Sequence, residues 1–250
     1  MAEASSSSLT RYPEPDEDMT AWIASQGFDH FDFACSKGGS LNVCRTRYGG
    51  LKGLGIDIDA DKVEAARKAG FTAIQWDLHS LPDAPMVRFT MLSHFLEHVP
   101  DPADVRAFVR KACHVSREFV LIQQPYFDAD DWLAERGLKL YWSDWTGHPN
   151  HMTSQEVRSL VRDLRAEGLA ITATLGFRGP ITSSADRRLI PLSASKDQHH
   201  YDPAIHPPKD MTIQFDPPLY GETICVIARV DADLGDIITK FRFDVKIPID

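Results

Sequence analysis

Phe31-Asp32-Phe33-Ala34-Cys35-Ser36-Lys37-Gly38-Gly39-Ser40 is an apolar opening that runs into small residues and a double glycine. Phe31–Phe33 opens a strand, Gly38-Gly39 makes a tight turn, and Ser40–Tyr48 reads as a helix closed by Gly49-Gly50. The next apolar run, Leu51-Lys52-Gly53-Leu54-Gly55-Ile56-Asp57-Ile58, is a second strand. Asp59 is placed to cap the helix Ala60–Ala69, and Gly70 stands where a helix-terminating glycine belongs. A strand, a glycine turn, a helix and a second strand within thirty residues make a βαβ unit, and βαβ units imply a parallel sheet.

The same rhythm continues outward. Phe71–Trp76, Met86–Ser93 and Glu118–Gln123 read as strands three to five, with the helix Pro102–Val115 behind an Asp101 cap. Thr153 and Glu156 have capping-box spacing ahead of a helix over Val157–Glu167. Leu169–Gly176 and Thr223–Val230 are two further strands. The reading is an α/β fold with a seven-stranded, mostly parallel sheet, helices on both faces and an antiparallel last strand. Residues 1–27 form an acidic, Ser-rich tail, disordered over Met1–Thr10, with a lead-in helix ending near Gly27; residues 28–230 form the main domain. Two stretches break the rhythm. Ser183–Pro218 holds six prolines and few apolar clusters, and reads as either a lid over a binding site or a plain surface insertion. In the 231–250 tail, Phe241, Phe243, Val245, Ile247 and Ile249 alternate with polar residues and Pro248. That is an edge strand with one apolar face, expected to pack on its own domain or to pair with a second copy of the chain.

The 250 residues are 43% hydrophobic and 25% charged, enough for a full core and incompatible with global disorder. No apolar run is long enough to span a bilayer, and the first twenty residues lack a signal-peptide core, so a cytoplasmic protein is expected. Four scattered cysteines with no C-x-x-C pair suit reduced thiols. The net charge of −9 argues against a binder of bulk nucleic acid. The first twenty residues carry −4 and the last twenty −2, leaving −3 on the body, so a phosphorylated or nucleotide-linked small molecule stays open.

Ligands of open α/β sheets bind beyond the carboxyl ends of the strands. The first such end, 32–40, lets backbone N–H groups approach an anionic or zwitterionic ligand. The second ends in Gly55-Ile56-Asp57, a carboxylate suited to a ribose diol. The third ends in Trp76-Asp77-Leu78, a carboxylate suited to an amino group such as that of adenine. Neither a phosphate-binding P-loop nor the G-x-G-x-x-G dinucleotide fingerprint occurs, which weakens the alternative of an NAD-dependent oxidoreductase. The ordered set resembles the S-adenosylmethionine-dependent methyltransferases with a Rossmann-like fold, in the group with an L-E-H run after the fourth strand. The resemblance covers roughly 28–178 and resumes at 223–230. Its D-x-G-x-G-x-G loop appears as Asp32-x-Ala34-x-Ser36-x-Gly38, with two glycines replaced by small residues. Its most specific match is Ser93-His94-Phe95-Leu96-Glu97-His98-Val99-Pro100-Asp101. The resemblance implies S-adenosyl-L-methionine as cofactor, surrounded by Asp32, Ala34, Ser36, Lys37, Gly38, Asp57, Ile58, Asp77, Leu78 and Ser93. It also implies an antiparallel hairpin of the last two strands at the sheet edge, with 183–218 as its enlarged connection.

A sulfonium methyl is already activated, so transfer needs proximity and orientation first and, for an oxygen or nitrogen acceptor, a base. His94, at the end of the fourth strand, is the first candidate. Tyr126, His148 and His151 follow, from an aromatic and His-rich stretch suited either to a pocket wall or to core packing. His98, within the L-E-H run, reads as structural or cofactor-supporting ahead of a catalytic role. His148-x-x-His151 lacks a third ligand, so no metal is expected. His199, His200 and His206 are expected to be solvent-exposed. The expected reaction is O-methylation of a small hydroxylated acceptor such as a sugar or glycan terminus. A methyltransferase-like binding module without activity is the remaining alternative, prompted by Ala34 and Ser36.

Overall fold

The computed structural model describes residues 12–13 and 18–249. The expected disordered segment 1–10 lies outside the described residues, as does most of the acidic lead-in. Helix α1 (Met19–Gln26) starts on the Asp18 carboxylate, which accepts the Thr20 and Ala21 N–H groups, and stops at Gly27 in a left-handed conformation.

Five parallel strands follow: β1 (His30–Phe33), β2 (Gly53–Asp57), β3 (Ala73–Gln75), β4 (Val87–Ser93) and β5 (Ser116–Pro125). Helices α2 (Gly39–Arg47), α3 (Ala60–Lys68) and α4 (Pro102–Val115) connect them. Asp59 and Asp101 cap α3 and α4 as their sequence positions require. On α4, Val105, Val109, Ala112 and Cys113 recur at helical spacing and are all buried. Phe31, Phe33, Phe89, Met91, Leu92, Val120 and Leu121 are likewise buried, because inner strands of a parallel sheet are covered on both faces.

The chain then leaves the sheet through the short helix α5 (Asp130–Ala134) and strand β6 (Leu138–Leu140). It returns by α6 (Ser154–Ala166), whose capping box between Thr153 and Glu156 is formed, into β7 (Ile171–Arg178). The proline-rich stretch is folded. Its strands β8 (Ile181–Ser183), β9 (Leu189–Pro191) and β10 (Gln214–Leu219) make two antiparallel ribbons, β10 with β8 and β6 with β9. Lys209 anchors it by donating to the Asp186 and Leu189 carbonyls, both at 2.7 Å. His206 is buried, contrary to the expected exposure, and its Nδ1 accepts the Asp202 N–H at 2.9 Å.

Strand β11 (Glu222–Arg229) inserts antiparallel between β5 and β7. After the one-turn helix α7 (Ile237–Lys240), β12 (Val245–Ile249) pairs antiparallel with β7. The order is β12-β7-β11-β5-β4-β1-β2-β3. The tail thus adds an eighth strand to the seven expected and takes the edge position from the β7–β11 hairpin. It packs on its own sheet through the pairing of β12 with β7. Bare backbone at Gly176 makes the docking fit, since a Cβ there would fall 2.0 Å from the Phe243 ring. Gly176→Ala is therefore expected to lift the tail, at a cost of about 1–3 kcal/mol. Limited proteolysis should then cut within 231–249 at rates the unaltered chain does not show.

Candidate functional site

Strand order reverses between β1 and β4, so the crevice for a ligand opens at the carboxyl ends of these two strands. At the end of β1, Ala34 (φ 54°), Ser36 (φ 47°) and Gly38 (φ 87°) are all left-handed, a conformation native to glycine. Ala34 and Ser36 keep the glycine geometry of the loop they resemble, at a strain of roughly 1–2 kcal/mol each. Ser36→Gly should raise the urea midpoint, with a gain of about 0.5–1 kcal/mol after the added freedom of the unfolded glycine. Gly38 itself admits no side chain, because a Cβ would meet Phe71 at 2.3 Å.

The Asp57 carboxylate is aimed from two sides. Oδ2 accepts the Ser36 N–H at 2.9 Å and Oδ1 the Asp59 N–H at 3.0 Å. Each oxygen keeps a second lone pair. Beside it Ile58 is 72% exposed, a flat apolar face next to an acceptor pair. Asp32 lies beneath the loop, wholly buried, with Ser40 donating to it. Burial, and secondarily the nearby Asp57 charge, push its pKa up to about 7 against the pull of the Ser40 hydrogen bond. Asp77 accepts the His79 N–H at 2.9 Å and caps a 3-10 turn over Leu78–Ser80. Leu78 is buried in the core, Lys37 is exposed, and Ser93 ends β4 half-buried. Left-handed loop, pinned carboxylate and bare Ile58 suit an adenosyl group: N–H donors for a carboxylate, acceptors for a diol, an apolar platform for a base.

A cavity of about 580 Å³ lies on the other side of the switch point. Its floor is His94, Glu97, His98 and Glu222, and its walls include Tyr141, Trp142, Trp145 and His148. Arg188 and His199, from the proline-rich stretch, also line it. His94 adopts φ 49°, which turns its ring between two carboxylates. Nδ1 is 3.2 Å from Glu97 Oε1 and Nε2 is 3.4 Å from Glu222 Oε1. Burial alone would lower its pKa, but the Glu222 and Glu97 hydrogen bonds outweigh this and push it up to about 9. His94 is therefore an imidazolium at neutral pH and not a ready base. Glu222 also holds Arg178, whose Nε donates at 2.6 Å.

His148 Nδ1 is 2.9 Å from the Trp142 carbonyl, and His98 Nδ1 is 2.6 Å from the Gly147 carbonyl. A carbonyl only accepts, so both rings carry their proton on Nδ1. Burial moves the His148 pKa down, which keeps it neutral. Trp145 stands edge-on to His148, with ring centroids 4.6 Å apart.

Of the four histidine and tyrosine candidates, His94 and His148 meet in this cavity and two do not. Tyr126 is buried edge-on against Phe177 and Tyr220, and this burial raises its pKa. His151 stacks on Phe127 and contacts Asp130 and the His148 carbonyl, so it orients the loop. His199 and His200 are both exposed as expected, and His199 borders the cavity. Glu97, Arg178 and Glu222 were without an assigned role. Glu222 had a legible signal, because the first residue of an antiparallel strand beside β5 must arrive at the carboxyl edge, and it pairs with Pro125.

No family profile and no curated protein matches the chain. Solved structures do. A SAM-dependent methyltransferase from Archaeoglobus fulgidus superposes with a TM-score of 0.54 at 16% identity, covering 81% of this chain and 87% of its own. The YcgJ protein from Bacillus subtilis does so with a TM-score of 0.52 at 15% identity, covering 84% and 96%. At these identities the likeness establishes the fold, the Rossmann-like α/β sheet of S-adenosylmethionine-dependent methyltransferases. Among the described residues no helix is long and apolar enough to cross a membrane.

Proposed function

We propose that this chain is an S-adenosylmethionine-dependent methyltransferase that O-methylates a small hydroxylated acceptor, such as a sugar or a glycan terminus. The observation that carries the reading is the β1 loop. Three alternate positions hold the left-handed geometry of the glycine motif, two of them despite having side chains, and the loop is tied to Asp57 at the next strand end. Strain of this kind persists only where the surroundings enforce it, and it concentrates at ligand sites.

Asp57 would accept from the ribose hydroxyls, Ile58 would flank the adenine, Asp77 would face its amino group, and Leu78, its side chain in the core, would offer its backbone N–H. The backbone of 34–38, with Lys37 beside it, would hold the amino-acid end, above the buried Asp32. The cofactor supplies an activated methyl group. The residues of this chain supply placement: the loop fixes one reactant while the cavity holds the other across the β1–β4 crevice. Support for the acceptor class comes from the lining. Trp142, Trp145 and Tyr141 give flat apolar area, while Glu222, His94 and His148 give polar tips, a combination suited to a polyhydroxylated ring. The volume falls in the range of small-molecule sites.

Calorimetric titration with S-adenosylmethionine and S-adenosylhomocysteine tests the reading directly. Both should bind with one site per chain and raise the melting temperature. Failure of both to bind at millimolar concentration, or tighter binding of NAD, would overturn it. Label transfer to bulk nucleic acid but to no sugar or small metabolite would overturn the acceptor class alone.

A further inference from the structure

We propose that Glu97, His98 and His148 form a binding site for one divalent transition-metal ion, open towards the cavity. One ligating atom from each of the three lies within 4.8 Å of the other two. Two further observations point to a ligand. Glu97 is 1% exposed, yet its Oε2 is buried with no hydrogen-bond partner, while Oε1 meets His94. An unsatisfied buried carboxylate oxygen costs several kcal/mol unless something cationic meets it. Both imidazoles, moreover, are held from behind in one tautomer. His98 donates Nδ1–H to the Gly147 carbonyl and His148 donates Nδ1–H to the Trp142 carbonyl. Each Nε2 is left with its lone pair, which is the arrangement by which outer hydrogen bonds prepare a histidine for a metal.

This triad replaces the His148-x-x-His151 pair considered from sequence. His151 turns away to Asp130, and the partners of His148 come from fifty residues upstream. Two imidazole nitrogens and one carboxylate oxygen suit Zn²⁺, Mn²⁺, Fe²⁺ or Co²⁺ rather than Mg²⁺ or Ca²⁺, which prefer all-oxygen shells. Three protein ligands leave coordination open, as in sites that act on a substrate oxygen. All three residues line the cavity. On the methyltransferase reading, on which this role rests, an acceptor hydroxyl seated there gives up its proton to the solvent in the cavity more readily than a free one.

The test uses the full chain, stripped with a chelator and titrated with Zn²⁺, Mn²⁺ or Co²⁺ alone, with metal content measured after dialysis. The expected result is one ion per chain, with affinity reduced at least about 100-fold in Glu97→Gln and in His98→Gln. Co²⁺ should give visible absorption bands that both variants lose. Circular dichroism checks that each variant folds, and His148→Asn replaces either that does not. No retained ion, unaltered affinity in the folded variants, or tighter binding of Mg²⁺ would overturn the proposal. Retention in all variants would place the ion elsewhere, at the His199-His200 pair for example. S-adenosylhomocysteine titration of the stripped protein separates the two readings. Metal binding without cofactor binding keeps the site and removes the methyltransferase. Cofactor binding without metal does the reverse.

Discussion

Asp57→Ala is expected to lower the affinity for S-adenosylmethionine and S-adenosylhomocysteine by about 100-fold or more, because one carboxylate does two jobs. It offers lone pairs to a diol, and hydrogen bonds to a charged acceptor contribute roughly 1.5–3 kcal/mol each. It also holds the glycine-like loop, by accepting from Ser36 N–H at one oxygen and Asp59 N–H at the other. Removing it frees those donors, at a stability cost of about 1–3 kcal/mol for each one left unsatisfied. Binding must therefore be measured well below the melting temperature of the variant. The informative comparison is Asp57→Asn, which keeps one acceptor oxygen and should lose part of the affinity. A folded Asp57→Ala chain that still gains thermal stability on adding S-adenosylhomocysteine would remove Asp57 from the site.

The second large effect concerns acidity. Asp32 has its pKa raised from the usual carboxylate range to about 7, chiefly by complete burial. In the unfolded chain it titrates near 3.8. Between these values the folded state binds the extra proton, so its stabilising share is fully present below about pH 4 and is lost as pH rises through about 7. At about 1.4 kcal/mol per unit, the slope accumulates to the order of 4–5 kcal/mol across that window. Asp32→Asn keeps the shape without the charge and should flatten that limb of stability against pH. The check is a series of denaturant melts of both chains from pH 4 to 8. Parallel curves would show that Asp32 is not protonated in the fold. A cationic ligand above the loop should draw the proton off, so the calorimetric heat near pH 6.5 should vary with the ionisation enthalpy of the buffer.

Much of the scaffold was legible because its signals are local. The caps at Asp59, Asp101 and Thr153 act within three residues of themselves, and all three are formed. So were the positions of Asp57 and Asp77, at the end of β2 and just beyond the end of β3. The cavity was only half legible. Of the pair His148 and His151, only His148 lines the cavity, because the His151 ring stacks on Phe127 and meets Asp130. The short ribbons β6–β9 and β8–β10 carry no alternation long enough to read and join residues about fifty and thirty-five apart. The role of Glu97 depends on His148, and only the fold brings the two together.

The insertion of β11 between β5 and β7 has a kinetic consequence. Gln123 pairs with Ile224, across about one hundred residues of chain, and β7 reaches the sheet only through β11. The sheet cannot zip in chain order. Strands β1 to β5 can associate early through contacts of short range, but both neighbours of β11 must wait for the ribbons and α6 to form. Until then the edge of β5 and the whole of β7 stand open, and loop closure of this span slows the final step. Refolding should thus pass through a half-sheet with sticky edges. Its yield should fall with protein concentration long before the native chain itself shows any tendency to associate.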